Sequence, residues 1–324
     1  MDGPKKVAVI VNPRSANGRT GKAWPALEHR FREVLPQFDV LKTDRPWHAA
    51  ELTRQALRSG CDRIVSVGGD GTHHEVLNGF FDGYLPINPA ASLAIFPHGT
   101  GSDLARTLGV LNAANALSLL NGSYSMKVDV GRVTFTLPGG AAQEVRYFIN
   151  VADFGMGGSV VECVNRGTKR LGPFLTFLTA LLRTLATYRN PLIKLQIDGE
   201  LLEQRTVNVI IANGKYYGGG IHVAREARMD SGSFEVYVLG DIGFWKAVFN
   251  LPKFYTGTYI DRTDLVRRYT AHRVVAHSDE RVLLNLDGEQ PGQLPAAVEV
   301  LPSALRLVVP GSPEPTRATP NRSV

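Results

Sequence analysis

Residues 63–80 read Arg-Ile-Val-Ser-Val-Gly-Gly-Asp-Gly-Thr-His-His-Glu-Val-Leu-Asn-Gly-Phe, and their reading decides the fold. An apolar strand, Ile64 to Val67, runs into the turn Gly68-Gly69-Asp70-Gly71-Thr72, and a helix is expected from His73. Glycines at a strand-to-helix turn let backbone N–H groups approach an anion with no Cβ in the way. The helix N-terminus adds partial positive charge at the same spot. Asp70 is the odd element, because a carboxylate beside a phosphate is repelled unless a cation lies between them. The turn therefore points to a nucleotide carried with Mg2+.

The same rhythm extends outward through the first 126 residues. Lys6 to Val11 is a continuous apolar strand, and Leu93 to Phe96 is another short one. Ala26 to Leu35 and Ala49 to Ser59 carry helical apolar spacing, with a further helix expected at about Leu104. Alternating strands and helices predict a doubly wound α/β nucleotide-binding domain over residues 1–126, whose ligands bind at the carboxyl ends of the strands. From Lys127 the pattern becomes short β-rich runs: Val128 to Thr136, Glu144 to Val151, Leu192 to Ile197, Val207 to Ile211, Phe234 to Leu239, His272 to Ala276 and Val282 to Leu286. Turn residues separate them, which predicts a β-sandwich-like C-terminal domain over 127–303 with helical insertions near 159–188 and 241–255. Residues 311–324, rich in Pro, Ser, Thr and Arg, read as a disordered tail.

The 324 residues, 44% of them apolar, are enough for about two domains with proper cores. No long uncharged apolar run marks a membrane span, and the N-terminus leads straight into a strand, so no signal peptide is expected. Cys61 and Cys163 lack metal or redox spacing and read as reduced residues of a cytoplasmic protein. A net charge of +6 suits phosphorylated small molecules or anionic lipid. No Lys/Arg tract with interleaved aromatics is present, so nucleic acid is not expected as a partner.

Gly68-Gly69-Asp70-Gly71-Thr72, followed by Glu75-Val76 and Asn78-Gly79, resembles the signature of the diacylglycerol kinase and lipid kinase family, relatives of the NAD kinases and 6-phosphofructokinases. Two further loops agree with it. Asn12-Pro13-Arg14-Ser15-Ala16-Asn17-Gly18-Arg19 resembles the family's phosphate-side element, in which Arg19, with Lys22 nearby, would neutralise the nucleotide. Pro97-His98-Gly99-Thr100-Gly101-Ser102-Asp103-Leu104-Ala105-Arg106 resembles its third loop, with Ser102 where Asn is usual. The resemblance implies that Gly99, Thr100 and Gly101 bind ATP along with the first two loops, and that Thr43 is the adenosine-side threonine. Asp70 would hold Mg2+, with Asp103 facing the same ion through water, while Asp103 also has the simpler reading of a helix cap. Glu75, one turn into its helix, caps or positions the loop. Neighbouring residues on a helix point about 100° apart, so His73-His74 is a poor chelate.

Over 200 residues downstream, Asn285-Leu286-Asp287-Gly288-Glu289 resembles the family's Asp-Gly-Glu. Alone it reads as a solvated hairpin turn; in order after three matching loops it implies a general base, Glu289, with Asp287 as the competing assignment or as a ligand to Mg2+-bound water. Phe148-Ile149-Asn150-Val151-Ala152 with Gly155, and Asn213-Gly214 to Gly218-Gly219-Gly220, lengthen the resemblance. In Met229-Asp230-Ser231-Gly232, Ser231 stands where some members place an Asp for a structural metal. The resemblance also implies that residues 304–310 return to the first domain as a strand.

The implied activity is ATP- and Mg2+-dependent phosphorylation of a lipid hydroxyl, diacylglycerol first, at the inner face of a membrane. Sphingoid bases, other glycerolipids or NAD are the alternative acceptors, and a binding module without catalysis is the non-enzymatic alternative. Relatives extend the expectation to a homodimer. The apolar stretch Leu171 to Tyr188 reads either as a core-facing helix or as a helix resting on a membrane, with Lys169-Arg170 and Arg267-Arg268 available for headgroups.

Overall fold

The computed structural model describes residues 6–35, 37–99, 101–111, 113–120, 124–140, 142–167, 173–258 and 265–311. Strand Arg63–Gly68 lies in a ten-stranded sheet between Val7–Val11 and Ser92–Pro97, parallel to both, with Asp39–Lys42 beyond. Helices cover both faces. Trp24, Leu27 and Phe31 of Arg19–Val34 pack on one side, against Val9, Val65 and Phe96. Ala56 and Leu57 of His48–Arg58 and Val76 and Leu77 of Asp70–Gly79 pack on the other, against Ile10, Ile64 and Ile95. Burial on both faces explains why these strands are continuous apolar runs. The parallel direction of these strands sends the strand-to-helix loops to one edge.

Two long antiparallel strands, Ser125–Thr136 and Gln293–Val308, carry the sheet into the C-terminal half. Near its end the second strand lies parallel to Ser92–Pro97, pairing Arg306 with Ser92 and Leu307 with Leu93. The halves are thus joined by a two-stranded ribbon. Its register shifts between Leu301 and Leu305, where Ser303 takes φ 52°. The buried Asp129 carboxylate accepts the Ser303 N–H at 2.8 Å and the Gly232 N–H at 2.6 Å, fixing that bulge.

A second sheet runs Val266–Ala271, Phe234–Leu239, Asn208–Ala212, Val151–Gly155, Leu284–Leu286. It packs on the extended first sheet through Phe135, Phe154, Phe234, Ile193, Ile211 and Val274, giving the β-sandwich-like layer. Among the described residues, no helix is long and apolar enough to cross a membrane.

Three local readings change. The helix expected from His73 begins at Asp70, because Thr72 and His73 donate to Gly69 O and close the first turn earlier. The run Glu144 to Val151 breaks into Gln143–Phe148 and Val151–Gly155. Strand Glu200–Arg205 escapes the pattern because its sequence, Glu-Leu-Leu-Glu-Gln-Arg, has helix-like composition, and its place at the sheet edge leaves Leu201 exposed. The expected helical insertions are Met156–Arg166, Pro173–Thr187 and Phe244–Thr256. The expected tail lies, from residue 312 on, outside the described residues.

Candidate active site

The three loops meet at the carboxyl edge of the parallel strands. Asn12 joins the first to the second: its Nδ2 donates to Thr72 Oγ1 at 3.0 Å, and its backbone N–H donates to Val67 O. Residues Ser15–Gly18 form a tight turn, with Ala16 and Asn17 in the left-handed region. Arg14, Arg19 and Lys22 stand exposed around it, and Arg19 Nε donates to Ala16 O. Pro13 O accepts the Gly21 N–H. Ser15 Oγ and the buried Thr20 Oγ1 both donate to His98 O, at 3.1 and 2.9 Å, tying the first loop to the third. Thr20 was not among the expected residues; it lies inside the first helix, one step past the recognisable loop.

The second and third loops touch backbone to backbone. A Cβ on Gly69 would lie 3.2 Å from Gly99 Cα, and His98 N–H donates to Gly68 O at 2.7 Å. Asp70 is the keystone of this contact. Its carboxylate accepts the backbone N–H groups of Asp103 at 3.1 Å and Leu104 at 3.3 Å, and so caps helix Asp103–Leu108. A Cβ on Gly101 would stand 2.5 Å from Asp70 Oδ2, so Gly101 leaves room for the carboxylate. Enclosure by protein raises the Asp70 pKa to about 6, and the nearby Asp103 and Asp287 carboxylates push in the same direction.

Asp103 does not cap its own helix. Its Oδ2 accepts the Gly219 N–H at 2.8 Å from the C-terminal half, and its Oδ1 accepts from Arg106 at 3.1 Å. Enclosure raises its pKa as well. Thr107 continues this seam, donating to Asn150 Oδ1 at 2.9 Å and accepting the Lys215 N–H. Thr100 lies outside the described residues.

The turn at Asp287 places its two carboxylates differently. Asp287, at φ 51°, accepts three backbone N–H groups, from Ile149 at 2.9 Å and from Asn150 and Val151 at 3.0 Å. Those bonds replace sheet pairing at Ile149 and Asn150, which is why the run from Glu144 to Val151 breaks there. Glu289 is exposed and lies against the second loop: a Cβ on Gly71 would stand 2.7 Å from its Oε1. The structure thus sets Glu289 against Gly71, the residue after Asp70, and leaves Asp287, which also lies near Asp70, bound to the backbone.

Other expected residues lie around this centre. Buried Thr43 follows strand Asp39–Lys42, with its N–H on Val11 O. Glu75 accepts the Ala49 N–H at 3.2 Å and so caps helix His48–Arg58. The two histidines diverge. His73 Nδ1 meets Ser66 Oγ at 2.7 Å, and burial lowers its pKa to about 4. His74 Nδ1 lies 3.5 Å from Asp287 Oδ2, and its ring packs edge-on against Trp47. Asn78 binds the backbone of Tyr147 at both N and O, locking the glycine-loop helix to the C-terminal half.

Ser231 Oγ donates to the carbonyls of Arg228 and Ser233, and Asp230 pairs with Arg228. Among the described residues no cluster of three or more His, Cys, Asp or Glu side chains is grouped to hold a metal, there or elsewhere. Arg268 is paired with Glu235 and Glu226, while Lys169 and Arg170 lie outside the described residues. Asp129 and the fully enclosed Asp153 were not anticipated. Each is a lone carboxylate inside an apolar strand, a signal that was present in Val128-Asp129-Val130 and Ala152-Asp153-Phe154.

Comparison with known proteins bears on this geometry. Residues 6–133 match the diacylglycerol kinase catalytic domain family, and residues 150–309 match the YegS C-terminal NAD kinase beta sandwich-like domain. A Pseudomonas aeruginosa (PAO1) protein named "Probable lipid kinase YegS-like" is 30% identical over 98% of this chain and 99% of its own. The diacylglycerol kinase of Bacillus subtilis (strain 168) is 26% identical over 94% of this chain and 97% of its own. A crystal structure of a candidate diacylglycerol kinase from Bacillus anthracis str. Sterne superposes with a TM-score of 0.76 at 26% identity, covering 96% of this chain and 97% of that one.

Proposed function

Because the chain belongs to the diacylglycerol kinase and YegS-like family of lipid kinases, we propose that it transfers the γ-phosphate of ATP, with Mg2+, to the hydroxyl of diacylglycerol, giving phosphatidic acid. The observation that carries this reading is the approach of Glu289 to Gly71 on the glycine loop. It supports placing a proton acceptor beside the phosphate-binding backbone. The names of the relatives support diacylglycerol as the acceptor.

The residues present fit Mg2+. Asp70 offers hard oxygen atoms, and its pKa is raised by enclosure and by two neighbouring carboxylates, a crowding that a cation relieves. Asp70 would hold the ion, with Asp103 through water. When bound, the ion neutralises charge on the transferring phosphoryl group. The chain's own residues do the rest. Backbone N–H groups of the glycine loops orient the phosphates, and the exposed Arg14, Arg19 and Lys22 add positive potential at their rim. Glu289 accepts the acceptor hydroxyl's proton as its oxygen bonds to the γ-phosphorus and ADP departs. Asp287 holds the turn that carries Glu289.

The test is transfer of labelled γ-phosphate from ATP, with and without Mg2+, to micellar diacylglycerol, sphingoid base and NAD. Label in phosphatidic acid is expected, and Asp70→Ala should lose both turnover and Mg2+-dependent ATP binding. Label in another lipid would rename the acceptor, and label in NADP would overturn the lipid reading.

A further inference from the structure

Helices Pro173–Thr187 and Phe244–Thr256 lie side by side on the flank of the C-terminal half. Their inner faces are already used: Ala180 and Leu181 pack on Val160 of Met156–Arg166, and Ala247 packs on the cluster that includes Ile221 and Ile242. Their outer faces carry large apolar side chains among polar and cationic ones. Trp245 is 69% exposed and Phe249 76%, one helical turn apart, with Phe244 edge-on to Trp245 at 5.0 Å. Leu175 and Leu182 stand exposed two turns apart on the neighbouring helix. Five of the ten large apolar side chains exposed among the described residues are therefore on these two helices. Such concentration marks an interaction surface, whereas scattered exposed leucines do not.

Charge identifies the occupant. The only ionisable side chains that carry charge within the two helices are Arg183, Lys246 and Lys253, all cationic. A two-fold contact between copies of this face would set those cations against their own counterparts. An anionic surface would attract Arg183 and Lys253. Aromatic side chains rimmed by Lys and Arg are the composition that settles at a bilayer's headgroup boundary.

Position points the same way. The hairpin Tyr216–Tyr217 and Ile221–His222 packs on both Asp103–Leu108 and Phe244–Thr256. Its turn donates the Gly219 N–H to Asp103, and the Phe177 ring lies beside Gly218. One hairpin therefore spans from the third loop of the site to the exposed helices.

We infer that this face docks the enzyme on an anionic lipid bilayer, inserting Trp245 and Phe249 at the headgroup boundary so that the acceptor lipid reaches Glu289 without leaving the bilayer's surface. The inference rests on the lipid-acceptor reading above. The test uses the full chain and vesicles of phosphatidylcholine alone or mixed equally with phosphatidylglycerol. Wild type should co-sediment with the mixed vesicles, more weakly at high salt, with a blue shift of tryptophan emission.

Trp245→Glu with Phe249→Glu should weaken binding by about tenfold or more, since each apolar side chain lost from the boundary removes a sizeable part of the transfer free energy. The same variant should keep wild-type turnover on a monomeric short-chain diacylglycerol and lose it on bilayer diacylglycerol. Trp245→Ala with Phe249→Ala serves as a milder second variant should the charged one unfold. Equal vesicle binding by wild type and both variants would overturn the inference, as would loss of a dimer in the variants with vesicle binding unchanged. If wild type binds vesicles through these residues but phosphorylates neither acceptor, the docking face stands and the acceptor reading fails.

Discussion

The carboxylate of Glu289 lies against the backbone of Gly71, close enough that a Cβ there would stand 2.7 Å from Oε1. The two residues are 218 positions apart and come from different halves of the chain. Gly71 is absent from the positive-φ glycines, so alanine suits its backbone and only this contact opposes it. Gly71→Ala should therefore push the Glu289 side chain aside at little cost in stability. Glu289→Gln should lower kcat by ~10²–10⁴-fold, the usual contribution of a general base. Gly71→Ala should fall in the same direction with an unchanged thermal midpoint. Normal turnover in both variants would remove Glu289 from the chemistry.

Asp287 should behave otherwise. Its removal leaves the N–H groups of Ile149, Asn150 and Val151 without their acceptor. Each unsatisfied buried donor costs about 1–3 kcal/mol. Asp287→Ala should thus lower the urea midpoint markedly and reduce activity with it, while Glu289→Gln leaves the midpoint in place. A stable Asp287→Ala enzyme with turnover abolished would instead make Asp287 the base.

Asp103 and Gly219 form a latch between the third loop and the hairpin of the C-terminal half. Hydrogen bonds to a charged acceptor are worth roughly 1.5–3 kcal/mol. Asp103→Ala should speed proteolytic cleavage at Gly218-Gly219-Gly220 and raise the KM for the nucleotide. Unchanged cleavage kinetics would show that the hairpin is held by packing on Phe177 and helix Phe244–Thr256.

Much of this arrangement was legible in the sequence because it is local. The Gly68–Thr72 turn, the parallel strands and the order of the loops each follow from short spacings of glycine and apolar residues. Glu289 was legible only through the resemblance, since an Asp-Gly-Glu turn has no local mark of catalysis. What stayed hidden depends on distant pairing. The capping of Leu104 by Asp70, the splitting of residues 144–151 by Asp287 and the ribbon formed with Gln293–Val308 all join segments far apart in the chain. The exposed edge strand Glu200–Arg205 was hidden for another reason, because its tertiary place overrides its composition.

Asp153 tests the buried electrostatics of the second sheet. Its enclosed carboxyl accepts Asn285 Nδ2 at 2.7 Å, and Asn285 Oδ1 in turn accepts the Gly288 N–H beside Glu289. Burial raises its pKa to about 7, against roughly 3.9 in an unfolded chain. A carboxyl whose folded pKa is raised contributes stability that is complete below the unfolded value and is lost as pH rises through the folded one. Wild type should therefore lose stability from Asp153 between about pH 4 and pH 7, on the order of a few kcal/mol, and level off above that. Asp153→Asn removes the ionisation and retains an oxygen for Asn285. Its urea midpoint should match wild type at about pH 4 and below and exceed it at pH 8. A variant whose midpoint runs parallel to wild type across that window would show that Asp153 folds with its charge already compensated.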